Sequence, residues 1–183
     1  MAKCVIFVEG SRKTDNGDLH YSFNQLLRQA NPRYMPLIVM CNDTAGAIRK
    51  FRQEIANPRS KFQQVLLLVD LDGPDDTREA WLASQELASH QANVFFMVQK
   101  MEAWFLAQVE VVQEFYNHNL AHALPRAKAA LVTHPDRVLE RCTSGHRKGS
   151  YHKTGHGARL LIQLSLPKLQ ADFPDVARLV AAL

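Results

Sequence analysis

The chain has 183 residues, 46% hydrophobic and 22% charged, with 22 basic against 18 acidic side chains and a formal net charge of +4. That length suits one good-sized core, and the composition excludes a disordered, collagenous or low-complexity chain. No apolar run nears the roughly 20 residues that span a bilayer; Cys4, Cys41 and Cys142 are too few and scattered for a disulfide framework, and "MAKCVIFVEG" meets Glu9 too early for a signal peptide, so the cytoplasm, without a membrane partner, is the expected place.

The first hundred residues alternate between two periodicities. "KCVIFV" (3–8) is a continuous apolar run, the pattern of a strand covered on both faces. "DLHYSFNQLLRQ" then places Leu19, Phe23, Leu26 and Leu27 at helical spacing behind Asp18, a candidate N-cap. "PLIVM" (36–40) reads as a second strand, and "NDTAGAIRKFRQEIA" as a helix with Ala45, Ile48, Phe51 and Ile55 along one stripe. "VLLLVD" (65–70) is the third strand, "DDTREAWLASQELASH" the third helix, and "NVFFMV" (93–98) the fourth strand. The remainder reads as helical: one helix over "KMEAWFLAQVEVVQEFY", a short one begun by Pro135, and several proline-punctuated ones to the end. Between them "TSGHRKGSYHKTGHG" has four glycines and no apolar period, so it reads as a loop. Trp81, Phe95, Phe96 and Trp104 occupy apolar-face or strand positions and read as core; Cys4 and Cys41 read as inert buried thiols.

Strands alternating with amphipathic helices imply an α/β, Rossmann-like fold: a four-stranded, mainly parallel sheet flanked by helices, with an α-helical C-terminal extension. Residues 1–112 make the α/β core, and residues 113–183 the extension packed on the same domain. Such sheets bind ligands beyond the carboxyl ends of their strands. Glu9 follows the first strand, and "VDLDGPDD" puts Asp70 and Asp72 at the end of the third. Were those strands neighbours, the three carboxylates would meet. Two aspartates spaced D-x-D on a strand share a side, and an all-oxygen set suits Mg²⁺ or Mn²⁺ over zinc. The bland alternative makes Asp70 and Asp72-Gly73 turn residues and Asp75 and Asp76 N-caps. The matching E-G after the first strand favours the metal-binding alternative.

Glu9-Gly10 after strand one, with Asp70-x-Asp72-Gly73 after strand three, resembles the Toprim domain of topoisomerases, bacterial primases, OLD-family nucleases and small RNA-maturing ribonucleases. "MEAWFLA" (101–107) after the fourth strand and "KGSYHK" (148–153) before the helical tail are similar to a family of small standalone Toprim-like proteins of uncertain function, over nearly the whole chain. The resemblance implies that Glu9 is the general acid/base, that Asp70 and Asp72, with Glu9, hold Mg²⁺ or Mn²⁺, and that Glu102 belongs to the site. Without it, Glu102 in a helix's first turn needs no role beyond complementing the helix dipole. Two departures put a second metal in question: "EGSRKTDNGD" lacks an acid in the expected place, with Asp15 the substitute, and Gln108 stands where an aspartate is expected.

From Arg137 to Arg159 basic residues and histidines predominate, and only Glu140 opposes them after Arg137. Within "HRKGSYHKTGHGAR" the glycines free backbone amides, while Arg147, Lys148 and Lys153 supply charge for phosphate. Tyr151 is placed to stack on a base or touch a phosphate. The other readings of this segment are an ordinary solvated loop and a zinc site at Cys142, His146, His152 and His156, whose spacing fits no known zinc pattern. Ser11 and Thr14 are candidate phosphate contacts at a helix start, and the absence of G-x-x-x-x-G-K-[ST] excludes a P-loop ATPase.

The leading expectation is a Mg²⁺-dependent Toprim-type phosphodiesterase, a nuclease on DNA or RNA, with a separately encoded ATPase partner and a part in phage defence by analogy with OLD-type systems. The second is a non-catalytic Toprim module that binds nucleotide, nucleic acid or a partner protein. The third, ranked last, is a small-molecule phosphohydrolase working through Asp70. The sequence leaves monomer or homodimer open.

Overall fold

The computed structural model describes residues 3–10, 19–120, 124–125 and 127–183. Strands β1 (Cys4–Glu9), β2 (Leu37–Cys41), β3 (Gln64–Asp70) and β4 (Val94–Met97) form one sheet in the order β2–β1–β3–β4. All its pairings are parallel, with Val8 of β1 level with Met40 and Leu68, and Asp70 level with Met97. The expected α/β Rossmann-like architecture is the one observed.

The continuous apolar runs have their cause in a sheet buried on both faces. Ile6, Val8, Leu66, Leu68, Phe95 and Met97 belong to one core cluster; their strand neighbours Val5, Phe7, Leu67, Val69 and Phe96 belong to the other. Helices α2 (Thr44–Ile55) and α3 (Arg78–Ser84) cover the second face with Ala47, Ile48, Phe51 and Leu82. The first face takes α1 (Leu19–Arg28), α4 (Met101–Ala107), α5 (Val109–Tyr116) and α6 (Pro135–Cys142). It also takes α7 (Ala158–Leu161), α8 (Leu166–Asp172) and α9 (Pro174–Ala181). Trp104 is buried at its centre, between Phe23 and Phe173. The C-terminal helices therefore complete the first face's core; they are tied to α1 by Ser22, which donates to the Ala158 carbonyl, and by Gln29, which bonds Leu164 and Leu166.

Where the chain departs from the sequence reading, a local contact outweighs periodicity. The helix expected over residues 75–90 breaks into a 3₁₀ turn (Asp75–Thr77), α3 and a second 3₁₀ turn (Ala88–Asn93). Glu86 turns left-handed at φ 50°, which carries Leu87 into full burial. Asp75 pairs with Arg78 at 2.6 Å instead of capping a long helix. The single helix expected over residues 100–116 is two, divided at Gln108. The buried Gln108 amide bonds both the carbonyl and the N–H of Ser165, at 2.9 and 2.8 Å. Asp43 caps α2 by accepting from the Gly46 N–H; the expected cap Asp18 lies outside the described residues. Of the four core aromatics, Trp81 is only partly buried, edge-on to Phe96. No described helix is long and apolar enough to cross a membrane.

Candidate active site

β1 delivers Glu9 to the carboxyl edge of the sheet, and Gly10 then turns the chain away at φ 141°. A Cβ at Gly10 would lie 2.9 Å from the Met40 methyl, which can swing aside, so it is the φ of the turn that requires the glycine of the E-G pair. Because β1 and β3 are neighbours, Glu9 reaches across to the last residue of β3: its Oε2 accepts from the Asp70 N–H at 3.2 Å and from the Thr44 hydroxyl at 2.8 Å. Asp70 is 4% exposed. Its Oδ1 accepts the first N–H of α4, from Met101, at 2.9 Å, and its Oδ2 lies 2.8 Å from Lys153 Nζ. Glu102, one residue into α4, is 1% exposed; its Oε1 accepts from the Tyr151 hydroxyl at 2.7 Å, and its Oε2 has no hydrogen-bond partner among the described residues.

Three acids thus gather around one ammonium. Burial pushes the Glu9 carboxyl above its ordinary value, and the Asp70 charge adds to the rise. Burial likewise raises Glu102, with Asp70 adding and Lys153 only partly opposing. Burial alone would lower Lys153, but the charges of Asp70, Glu102 and Glu9 outweigh it and hold the amine protonated. Burial, then the Glu102 charge, lifts the Tyr151 phenol far above its ordinary range, so it stays a hydrogen-bond donor. The repulsion latent in the acidic cluster is offset by a helix amide and by a lysine from 83 residues further along the chain.

The loop that supplies Lys153 is more ordered than its composition implies. Lys153–Gly157 forms one π-type turn, with Gly155, His156 and Gly157 buried. A Cβ at Gly155 would meet the His152 ring at 2.0 Å, and the Gly155 N–H donates to His152 Nδ1. Behind Tyr151, the Tyr116 hydroxyl and His156 Nδ1 are 2.9 Å apart. In front, Lys100, Glu102, Asp136, Tyr151 and Lys153 line a cleft of about 240 Å³.

The structure regroups several expected site residues. Asp72 does not join Asp70 as a strand-mate: β3 ends at Asp70, and Asp72 turns left-handed at φ 56°. Its side chain is 61% exposed and lies 3.4 Å from Lys100, which also holds Asp136 at 3.3 Å. Tyr151 is 4% exposed and spent on Glu102, so its ring is closed to a base. Arg147 and Lys148 are exposed as expected, although Lys148 also donates to the Phe115 carbonyl. Glu102 takes its place in the cluster. Asp15, Ser11 and Thr14 lie outside the described residues. Thr44 was not foreseen as a site residue, although its place at the start of α2 beyond β2 is legible in the sequence.

The oxygen-rich donor set has the right chemistry for Mg²⁺ or Mn²⁺, but not the right arrangement. Among the described residues no three His, Cys, Asp or Glu side chains are grouped to hold a metal ion, and this applies equally to the expected Glu9–Asp70–Asp72 triad and to the histidine-rich segment. Among the described residues the cation paired with Asp70 is Lys153.

None of the curated proteins and none of the solved structures compared with the chain matches it. A family model described as "Domain of unknown function (DUF4276)" matches residues 15–183, nearly the whole length, and the chain belongs to that family.

Proposed function

We propose that this chain is a phosphodiesterase of the Toprim kind that acts on the backbone of DNA or RNA. The observation that carries the reading is the meeting of Glu9, Asp70 and Glu102 around Lys153, beyond the carboxyl ends of two adjacent parallel strands. That is where this architecture keeps its ligands, and buried acids raised above their ordinary values suit proton transfer near neutral pH. In this reading Glu9 takes the proton of a water whose oxygen attacks phosphorus, the P–O bond opposite breaks, and the leaving oxygen takes a proton from solvent water. Lys153 offers its ammonium to a non-bridging phosphate oxygen. The exposed Arg147 and Lys148 meet flanking phosphates. A divalent cation would supply further charge stabilisation at phosphorus; the cluster as arranged does not fit one, and the steps above use the chain's own groups. A cytoplasmic setting, a separately encoded ATPase partner and a part in phage defence belong to the same proposal by analogy.

The test is incubation of purified protein with mixed DNA and RNA in EDTA, Mg²⁺ or Mn²⁺, beside Glu9→Gln and Asp70→Asn. Cleavage by the wild type that both substitutions remove supports the reading. Cleavage that survives Asp70→Asn refutes it. The neutralisation of the cluster by Lys153 favours a second reading, a non-catalytic module that binds nucleotide, nucleic acid or a protein partner. It predicts binding without turnover under every one of these conditions.

A further inference from the structure

We infer that His152 and His156 are positioning residues of this site: two neutral imidazoles set the turn that hands Lys153 to Asp70, and protonation of His156 lets the lysine go. The consequence for cleavage rests on the phosphodiesterase reading; the turn itself does not.

Both rings are fixed as hydrogen-bond acceptors by groups that can only donate. The Gly155 N–H donates to His152 Nδ1 at 3.0 Å, so His152 caps the turn Lys153–Gly157 with a ring nitrogen, where a Ser, Thr, Asp or Asn oxygen is usual. The backbone N–H of His152 donates in turn to His156 Nδ1 at 3.3 Å, and the His156 N–H closes the turn on the His152 carbonyl at 3.0 Å. A backbone N–H cannot reverse its role, so neither Nδ1 carries a proton while the turn stands. The Tyr116 hydroxyl, 2.9 Å from the same His156 nitrogen, is therefore a donor as well. The two rings lie 4.4 Å apart, and His156 is 7% exposed. Lys153 is the first residue of the turn they hold, and its ammonium meets Asp70 at 2.8 Å.

A proton on His156 Nδ1 would meet two donors with a third. The phenol can turn round and accept; the His152 N–H cannot, and it loses its partner. Among the described residues the titratable and charged groups that face the ring are Tyr116 from α5, Tyr151 and His152 beside the turn, Arg159 from α7 and Lys148 from the preceding loop. Burial first, then the charges of His152 and Arg159, holds His156 below its ordinary value of 6.5, and its hydrogen bond with the Lys148 backbone opposes them. The exposed His152 shares the cleft with Asp136 and Glu140, while Lys153 faces Asp70, Glu102 and Glu9. Because the turn requires the neutral ring, it stands whole above pH 6.5 and loosens as pH falls through the lower value of the folded ring.

The experiment follows the full chain by NMR from pH 8 to pH 5, for wild type and His156→Asn, whose side-chain oxygen replaces Nδ1 as acceptor and takes up no proton. It reads the ring nitrogens of His156 and the amide-exchange protection of His152 and Gly155 relative to an unstructured amide. In wild type that protection is expected to fall about tenfold or more over the interval in which His156 gains its proton, while amides of β1 and β3 keep theirs. Protonation of Glu9 and Glu102 also weakens their hold on Lys153 as pH falls; His156→Asn retains both acids, so it separates the two causes and is expected to lose less than about twofold. A proton on His156 Nδ1 at pH 8, a ring still neutral at pH 5, protection that survives protonation of the ring, or an equal fall in His156→Asn each overturns the inference. Where His156→Asn does not fold, the wild-type titration decides alone. The two proposals fail separately. Protection that tracks His156 with no cleavage at any pH sinks the phosphodiesterase and spares the positioning role; cleavage by wild type with protection indifferent to His156 does the reverse.

Discussion

Glu102→Gln is expected to stabilise the fold at alkaline pH, an unusual outcome for a substitution at a side chain only 1% exposed. The folded-state pKa of Glu102 lies above its ordinary value of 4.5 because burial outweighs the attraction of Lys153. A group raised in this way lends the fold stability that is fully present below the unfolded value, and it loses that stability as pH rises through the folded one. At pH 8, well above the unfolded value, the buried acid is therefore a net burden. Its Oε2 is an unsatisfied buried acceptor, a defect that costs about 1–3 kcal/mol. An amide of the same shape keeps an oxygen for the Tyr151 hydroxyl and removes the buried charge, while its NH₂ takes the unpaired position and some attraction to Lys153 is forfeited, so the gain comes from the charge alone. The net gain should be about 1 kcal/mol, which for a chain of this size raises the melting temperature by roughly 2–4 °C. Urea or thermal unfolding of both proteins at pH 8 and pH 5 reads it directly, and the advantage should shrink as pH falls. A variant less stable than wild type at pH 8, or an advantage independent of pH, would refute the claim that burial dominates at Glu102.

Asp70→Asn removes the carboxylate from an ion pair whose lysine is 38% exposed and still faces Glu9 and Glu102, and should cost about 1–3 kcal/mol, seen as a lower urea midpoint with unchanged slope. Gly10→Ala places a Cβ 2.9 Å from the Met40 methyl at a φ of 141°, and a loss of about 1–3 kcal/mol is expected; a neutral melting temperature would contradict the reading of the E-G pair as a required turn. Gln108→Ala strips both bonds to Ser165 and leaves its half-buried N–H without a partner, while its carbonyl keeps the Leu169 N–H. It should lower stability by about 1–3 kcal/mol, with faster amide exchange at Ser165.

The order of strands and helices was legible because burial on both faces of a parallel sheet writes itself as unbroken apolar runs, and each helix between them shows a stripe. Glu9 and Asp70 were legible for the same reason, as acids at the ends of such runs. Asp72 was not, because the side-sharing of D-x-D holds only while the strand continues, and β3 stops at Asp70. The helix breaks at Glu86 and Gln108 carry neither glycine nor proline; what fixes them is a buried Leu87 in one case and a distant Ser165 in the other. Lys153 could be read as a cation suited to phosphate. Its partner could not, since pairing with Asp70 depends on how the C-terminal helices return to the sheet.

That return has a consequence for how the protein is made. While only the first 150 residues have been synthesised, the sheet and its acids can form, but Leu160, Leu161, Leu169, Phe173 and Leu179 have yet to close the first face. The carboxylates likewise wait for their lysine. A nascent or truncated chain of that length would present an incompletely covered apolar face with uncompensated negative charge at one edge, a species prone to aggregate. Chaperone dependence should therefore last until residues 158–179 have been added, and nonsense mutations among them should be cleared by proteolysis rather than accumulate as stable fragments.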